Sequence, residues 1–204
     1  MATLRKIILA SGNAGKIREI TALFSDLNSK VISQKVLGIE SPEETGQTFI
    51  ENALLKARHA ADKSGLPAVA DDSGIAVDAL GGRPGVWSAR YAGDRATDEQ
   101  NLQLLLEEMA NVADDDRGAG FHCAAVLVYP GDEFDPVVAE AVWRGRILRR
   151  PAGQGGFGYD PVFLDSDANK TGAQMSGEEK NAVSHRGKAF RELKRLVREQ
   201  LRSN

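Results

Sequence analysis

The chain has 204 residues, of which 42% are hydrophobic and 27% charged, a composition typical of one soluble globular domain. Its net charge of −3 argues against the strongly basic surface that binds nucleic acid or an anionic membrane. The single cysteine, Cys123, excludes an internal disulfide, and no stretch approaches the roughly 20 apolar residues of a membrane span. The apolar run in LRKIILA is too short for a signal peptide, so we expect a cytosolic protein. From its length we expect one domain of two lobes, residues 1–204.

The beginning of the chain alternates between strand and helix patterns. Residues 6–10, KIILA, predict a buried strand, and residues 29–37 predict a second one. Between them a helical period begins at Gly15. Its apolar positions are Ile17, Ile20, Leu23, Phe24 and Leu27.

A longer helix and a strand follow. Thr48 and Glu51 fit a capping box at the start of this helix, and Gly65 stops it. Residues 67–80 predict a strand that breaks at Gly74 and then resumes.

The middle of the chain combines a loop with another helix. Residues 81–94 are too rich in glycine and proline for a regular element, and their length favours a functional loop. A helix runs from Thr97 to about Met109, and Gln100 completes a second capping box.

The last part of the chain predicts a hairpin, a loop and a helix. Residues 119–130 and 136–148 read as two long antiparallel strands. Residues 151–163 form a glycine-rich loop, and a helix extends from about Ser176 to the end. Alternating elements followed by a hairpin indicate an α/β fold with a mixed sheet.

The stretch ASGNAGK, residues 10–16, joins the first strand to the first helix. Gly12 and Gly15 permit unusual backbone conformations, and a helix start offers free N–H groups to an anion, with Lys16 as a point charge. It is not a Walker A loop, because Ile17 follows the lysine and only two residues separate the glycines. From this segment alone, a phosphate site and a structural turn are equally open.

The stretch ADDSG contains two adjacent carboxylates. Because successive strand residues face opposite ways, Asp71 and Asp72 can share a ligand only if the alternation relaxes near Gly74. Carboxylates suit Mg²⁺, which takes one or two of them together with substrate phosphates. The alternative is an aspartate that caps a turn.

A second acidic pair precedes the long helix. Glu43 and Glu44 either provide favourable charge at the helix N-terminus or contribute to a metal–phosphate site. Asn52 and Lys56, spaced i and i+4, place an amide and an ammonium on one face of that helix.

Two stretches near the C-terminus suggest contacts with a base. In GGFGYD, Phe157 and Tyr159 provide rings that either stack on a base or plug the loop. In SHRGKAF, His185 and Arg186 form a candidate donor pair for a carbonyl oxygen, whereas a lone histidine is more often structural.

Five stretches in this order resemble one family. SGNAGK, ETGQTFIENALLKA, ADDSGIAVDALGGRPGVWSARYAG, GGFGYDPVF and EEKNAVSHRG are similar to the non-standard purine nucleoside triphosphate pyrophosphatases, which hydrolyse inosine and xanthosine triphosphates. The similarity covers nearly the whole chain. Ser11 stands where some relatives have threonine, and it keeps the hydroxyl.

The resemblance implies an α/β fold with an elongated mixed sheet flanked by helices, two lobes and a central nucleotide cleft, in a homodimer. It implies Mg²⁺-dependent hydrolysis of ITP, dITP and XTP to the monophosphate and pyrophosphate, which cleanses the nucleotide pool. Water would attack the α-phosphate, with Asp72 as the proton acceptor.

The resemblance also assigns roles to matching residues. Glu43 and Asp72 would hold Mg²⁺, and Glu44, Lys56 and Asp71 would lie near the reacting phosphate. The residues that would hold the triphosphate are Ser11, Gly12, Asn13, Ala14, Gly15 and Lys16. The other substrate contacts would be Ser73, Phe157, Gly158, Tyr159, Asp160, Lys180, His185 and Arg186.

Selectivity follows from donor chemistry. Arg186 can only donate hydrogen bonds, so it would favour a 6-keto purine over adenine. Three alternatives remain: a pyrophosphatase for modified pyrimidine or methylated nucleotides, a P-loop-like NTPase or kinase, and a silent nucleotide-binding module. The acidic pairs argue against the last, because without a metal they would repel a triphosphate.

Overall fold

The computed structural model describes residues 6–24, 29–131 and 134–203. The helices are α1 (Ala14–Leu23), α2 (Phe49–Ser64), α3 (Asp98–Glu108), α4 (Gly177–Val183) and α5 (His185–Ser203). The strands are β1 (Lys6–Leu9), β2 (Lys30–Ser33), β3 (Ala68–Val77), β4 (Gly118–Val128), β5 (Val137–Ile147), β6 (Phe163–Asp165) and β7 (Lys170–Thr171). No helix in these ranges has the length and apolarity needed to cross a bilayer.

The described strands form one sheet in the order β2-β1-β3-β4-β5-β6-β7. β1 is parallel to β2 and β3, whereas β6 is antiparallel to β5 and β7. Because α1 and α2 connect the parallel strands β1, β2 and β3, they serve as the crossovers that parallel pairing requires. The predicted α/β fold with a mixed sheet and flanking helices is confirmed.

The chain divides into two compact units. The first combines Cys123–Ala141 with the residues up to Asp72 and from Arg186 onward. The second combines Ser73–His122 with Val142–His185. The central nucleotide cleft and the single-domain assignment stay predictions.

In the first unit, alternate strand residues enter two different cores. Ile7 and Leu9 pack with Ile20 of α1 and Phe190 of α5, whereas Ile8 packs with α2. The α2 residues of this second core are Ala53, Ala57, Ala60 and Ala61. Both faces of β1 are therefore covered, by α1 and α5 on one side and by α2 on the other.

Local capping explains where two of the helices begin. Thr48 Oγ1 accepts the N–H of Glu51 over 3.2 Å, and the Glu51 carboxylate accepts the N–H of Thr48 over 3.1 Å. Thr97 and Gln100 make the same reciprocal pair at α3. Gly65 ends α2 with φ 65°, in the left-handed region that glycine favours. The two predicted capping boxes are confirmed.

An aromatic core supports the second unit. The ring centroids of Phe121 and Trp143 each lie 4.7 Å from that of Phe163. The indole N–H of Trp143 donates to Asp165 Oδ2 over 2.7 Å, which satisfies its buried polar atom. Tyr159 joins the same cluster, so the core also anchors the glycine-rich loop.

Two predicted elements have different boundaries. The predicted break at Gly74 was wrong, because β3 runs without interruption from Ala68 to Val77. The strand predicted over 29–37 stops at Ser33, whose hydroxyl accepts the N–H of Lys35 at the start of the 3₁₀ helix Gln34–Leu37.

Three further predictions need correction or lie outside the structure. The C-terminal helix is split, because Ser184 adopts an extended conformation with ψ 159°. The loop over 81–94 contains a 3₁₀ helix, Gly85–Arg90. Leu27, the last apolar position predicted for α1, lies outside the described residues.

Candidate active site

The segment Ser11–Lys16 leads from the end of β1 into the first turn of α1. Asn13 caps the helix, since its Oδ1 accepts the N–H of Lys16 over 3.0 Å. The exposed residues of the segment are Gly12, Asn13 and Ala14, and the buried ones are Ser11 and Gly15. The predicted strand, turn and helix start are confirmed, and this geometry offers backbone N–H groups to an anion.

Asp72 is hydrogen-bonded to two residues of α2. Lys56 Nζ lies 2.8 Å from Asp72 Oδ1 and 2.6 Å from Glu44 Oε1. Asn52 Nδ2 reaches Asp72 Oδ2 at 3.4 Å, and Asn52 Oδ1 accepts the N–H of Gly46 over 2.7 Å. The predicted placement of an amide and an ammonium beside an acidic pair is confirmed.

Burial sets the protonation of this cluster. Asp72 is 5% exposed and Lys56 is 7% exposed. Burial raises the pKa of Asp72, and the ammonium groups of Lys56 and Lys16 only partly oppose that effect. Burial alone would lower the pKa of Lys56, but the surrounding carboxylates, chiefly that of Asp72, raise it. Lys56 therefore stays charged at neutral pH, and Asp72 takes up a proton more readily than an exposed aspartate does.

Asp71 binds a different set of cations. Its Oδ2 lies 3.2 Å from Lys16 Nζ and 3.2 Å from both Nε and Nη2 of Arg186. Arg186 Nη1 also donates to Glu19 Oε2 over 2.5 Å. Burial would lower the pKa of Arg186, but the charges of Asp71 and Glu19 raise it. These four side chains form a compensated, buried ion-pair network.

The regular strand β3 explains why adjacent aspartates have different partners. Val69 packs in the core of α1 and α5, and Ala70 packs in the core of α2. Asp71 and Asp72 continue this alternation toward the same helices. The alternation does not relax near Gly74, so the condition under which the two carboxylates could share one ligand is not met.

In the second unit, Asp160 organises the glycine-rich loop. Its Oδ2 accepts the N–H of Phe157 over 2.9 Å and the ammonium of Lys180 over 2.5 Å. Lys180 Nζ also lies 4.8 Å from the centroid of the Phe157 ring. The next N–H, that of Gly158, donates to Asp98 Oδ2 over 2.8 Å. Phe157 itself is half-buried.

Two other predicted contact residues are buried in the second unit. Tyr159 is 4% exposed, and its hydroxyl donates to the carbonyl of Ser88 over 2.8 Å. His185 is 3% exposed and stacks on Phe121 with ring centroids 4.9 Å apart. The alternative in which the ring fills the space under the loop therefore holds for Tyr159, which anchors the loop, whereas Phe157 is only half-buried.

Comparison with known proteins decides the family. Residues 7–196 match the family model described as the Ham1 family. The chain belongs to the Ham1 family. It is 55% identical over 190 residues to the dITP/XTP pyrophosphatase of Shigella flexneri, covering 93% of this chain and 96% of that one. The dITP/XTP pyrophosphatase of Yersinia pestis is 55% identical over 188 residues, covering 92% of this chain and 95% of that one.

Solved structures of Ham1 proteins agree with this assignment. The HAM1 protein from Coxiella burnetii has a TM-score of 0.86 and 46% identity, covering 95% of this chain and 98% of that one. The Staphylococcus aureus Ham1 protein has a TM-score of 0.83 and 39% identity, covering 96% and 99%. The resemblance found in the sequence is therefore confirmed.

The donor set of this Ham1 chain fits a divalent cation. Lys56 Nζ forms ion pairs with both Glu44 and Asp72, and Glu43 is exposed without an ion pair to any described residue. Across the described part of the chain, no group of three or more His, Cys, Asp or Glu side chains is arranged to hold a metal. Carboxylates suit Mg²⁺, which completes its coordination with water and substrate phosphates.

Several residues that shape these sites were not predicted from the sequence. Glu19 contacts Arg186 across 167 positions of the chain, and no local pattern indicates that contact. Ser88 accepts the N–H of Ile75 over 2.9 Å and donates to the carbonyl of Gly85 over 2.6 Å. Ser88 lies in the loop of residues 81–94, whose length predicted a function, and that length was the only sequence feature that pointed to this residue. Ser73, a predicted substrate contact, is half-buried in β3.

Proposed function

We propose that this Ham1 protein is a Mg²⁺-dependent nucleoside triphosphate pyrophosphatase. Its substrates are ITP, dITP and XTP, and its products are the nucleoside monophosphate and pyrophosphate. Relatives named dITP/XTP pyrophosphatase, 55% identical over 93% of the chain, support the activity. The observation that carries the proposal is Asp72, a buried carboxyl of raised pKa bonded to Lys56 and Asn52 beside the carboxylate of Glu44.

The first unit supplies the groups for the triphosphate. The exposed turn at Gly12 and Ala14 offers N–H groups at the start of α1, while the N–H of Asn13 donates to Ser11 Oγ over 3.3 Å. Lys16 adds a positive charge. Lys56 remains protonated because the carboxylates around it raise its pKa. These cations and N–H groups would neutralise the charge of a bound triphosphate.

The chemical step needs a base and a leaving group. A water oxygen forms a bond to the α-phosphorus, the bond from that phosphorus to the bridging oxygen of pyrophosphate breaks, and the water proton passes to Asp72. The raised pKa of Asp72 suits a proton acceptor at neutral pH. When bound by Glu43 and Asp72, Mg²⁺ would polarise the phosphate oxygens. Positioning of the reactants and neutralisation of the phosphate charge would accelerate the reaction, without a covalent intermediate.

The glycine-rich loop of residues 151–163 would supply a surface for the base. The half-buried ring of Phe157 would stack on the purine, while Asp160 and Lys180 hold the loop that carries it. Arg186, which can only donate hydrogen bonds, would together with His185 favour a 6-keto oxygen over the amino group of adenine. A buried donor left unpaired costs about 1–3 kcal/mol, so the preference for ITP over ATP should be about tenfold to a hundredfold.

Product analysis tests this proposal. The purified full chain with Mg²⁺ and ITP should release IMP and pyrophosphate. Release of IDP and orthophosphate would instead support a P-loop-like NTPase, and absence of turnover on every nucleotide would support a silent binding module. The remaining alternative is a pyrophosphatase for modified pyrimidine or methylated nucleotides. Comparison of kcat/KM on ITP, XTP, dITP, dUTP and dTTP distinguishes it, because such an enzyme would not prefer the 6-keto purines.

The homodimer and the cytosolic location stay predictions. Size-exclusion chromatography with light scattering measures the first directly. A mass near 22 kDa, close to the 21.9 kDa of the single chain, would contradict the dimer.

A further inference from the structure

Gln34 is a buried polar residue at the carboxyl end of β2. It is 2% exposed, and its Nε2 donates to Ser41 Oγ over 2.7 Å. Its Oε1 is also buried and has no hydrogen-bond partner among the described residues. A buried amide is costly unless it is bonded, so the Ser41 bond is the compensation that the described chain provides.

Ser41 lies beside the turn at Gly12. A Cβ atom added to Gly12 would lie 3.7 Å from Ser41 Oγ. The parallel register explains this proximity: Leu9 pairs with Ser33, so the segments that follow β1 and β2 leave the sheet at the same edge. Gln34 and Ser41 are thus placed next to the exposed backbone that begins α1.

The hydrogen bond from Gln34 occupies one lone pair of the Ser41 hydroxyl. Because the amide N–H donates, the serine oxygen uses one lone pair on Gln34, and its own proton must point elsewhere. Ser41 is exposed, and its O–H donates to none of the residues that the structure describes. The hydroxyl proton is thus left to donate to another group, and the hydroxyl lies beside Gly12.

We propose that Ser41 is a further substrate-binding residue, whose hydroxyl donates to a phosphate oxygen bound at Ser11–Lys16, and that Gln34 is the positioning residue that orients it. The inference rests on the proposed role of Ser11–Lys16 in holding the triphosphate. A neutral donor beside a backbone anion site adds a hydrogen bond to a charged group, which is stronger than a bond between neutral groups.

Direct binding of inorganic tripolyphosphate to the full chain, measured by calorimetry, tests the proposal without requiring turnover. Ser41→Ala should weaken binding about tenfold, since it removes one hydrogen bond to a charged group. Ser41→Thr keeps the hydroxyl and should bind within about twofold of the wild type. Thr21→Ala removes an exposed hydroxyl from the third turn of α1 and serves as the matched control, with no change expected.

Gln34 variants test the positioning role. Gln34→Glu replaces the donor with an acceptor, so Ser41 should turn its proton toward the carboxylate and binding should fall at least as far as in Ser41→Ala. Gln34→Met removes the hydrogen bond without adding charge and should give a smaller loss. Retained thermal unfolding curves would show that these effects are not losses of the fold, and Ser41→Ala carries the test if Gln34→Glu fails to fold.

The outcomes separate this inference from the proposed function. If the wild type hydrolyses ITP and binds tripolyphosphate while Ser41→Ala binds as tightly as the wild type, the role of Ser41 is overturned and the proposed function stands. If the wild type neither binds tripolyphosphate nor releases pyrophosphate from ITP, both are overturned. Wild-type affinity in Gln34→Glu, with Ser41→Ala weakened, would overturn the positioning role of Gln34 alone.

Discussion

Asp71 and Asp72 are neighbours in β3, yet their carboxylates bind different partners on the two faces of the strand. Asp72 meets Lys56 of α2, whereas Asp71 meets Arg186 of α5. Asp71 thereby balances a buried guanidinium, and Asp72 belongs to the cluster proposed for catalysis. Substitution of each by asparagine should separate stability from turnover.

For Asp72→Asn we expect loss of turnover with retention of the fold. The amide cannot take up the water proton, so kcat for ITP should fall at least about a hundredfold. Its oxygen still accepts a hydrogen bond from Lys56, and its volume is nearly that of aspartate. Pyrophosphate release and thermal unfolding followed by circular dichroism measure the two effects.

Asp71→Asn is the matched control for that variant. It removes a carboxylate that is 1% exposed from beside Arg186, so the free energy of unfolding should fall by about 3 kcal/mol. Equal losses of turnover in the two variants, with unchanged unfolding curves in both, would contradict the separation of roles.

Arg186→Ala should be strongly destabilising. It leaves Asp71 and Glu19 without their shared guanidinium, and removal of one partner of a buried ion pair costs about 3–5 kcal/mol. Arg186→Lys keeps the charge but not the fork that reaches both carboxylates, so its loss should be smaller. Urea unfolding gives both values, and an unchanged free energy in Arg186→Ala would contradict the network.

The Arg186→Lys variant also tests the prediction that Arg186 donates a hydrogen bond to the 6-keto oxygen, O6, of the purine. If Arg186 contacts the base, kcat/KM for ITP relative to ATP should fall in Arg186→Lys. An unchanged ratio would show that Arg186 acts through Asp71 and Glu19 instead.

Sequence patterns predicted the features that depend on near neighbours. Thr48 and Glu51 are three residues apart, and their capping box and the helix after it follow from local hydrogen bonding alone. Asn52 and Lys56 shared a face as predicted, because helix geometry fixes the i, i+4 relationship.

Long-range pairing could not be predicted in the same way. Asp71 and Arg186 are separated by 115 positions, and nothing near either residue specifies the other. The turn residue Gly74 suggested a break, but the strand stays extended, because Val69 and Ala70 before it and Ile75 and Val77 after it are all packed in cores. Tertiary packing thus outweighed the local tendency of Gly74 to break the strand. The extended strand in turn places Asp71 and Asp72 on opposite faces, with different partners.

Gly12→Ala tests whether a ligand approaches the backbone of Ser11–Lys16. The added methyl group would meet Ser41 Oγ at 3.7 Å, an ordinary contact, so the melting temperature should stay within a few degrees of the wild type. A phosphate that approaches this backbone would be hindered, and KM for ITP should rise about tenfold or more. Gly177→Ala, whose added methyl group would meet nothing within 4 Å, should change neither quantity. A wild-type KM in Gly12→Ala would place the phosphates elsewhere.

Lys180→Met should disturb the loop that presents Phe157. It removes the ammonium from Asp160, which is 2% exposed, and from the face of the Phe157 ring. We expect KM for ITP to rise more than kcat falls, because the change affects the base surface and not the phosphate chemistry. Lys170→Met, which breaks an exposed pair with Glu179, is the matched control and should leave KM unchanged. A lower kcat with an unchanged KM would contradict a role in base binding.

Glu179 should make stability depend on pH in the acid range. Hydrogen bonds from Lys170 and from the N–H of Ser176 lower its pKa from 4.5 to about 2. Because the folded pKa is depressed, the stabilisation is complete above pH 4.5 and is lost as the pH falls through about 2. Glu179→Gln keeps an acceptor for Ser176 but cannot titrate, so its unfolding free energy should fall less steeply than that of the wild type over this range. Glu178→Gln, which removes an exposed carboxylate from the same turn, should retain the wild-type slope, and equal slopes in all three proteins would contradict the assignment.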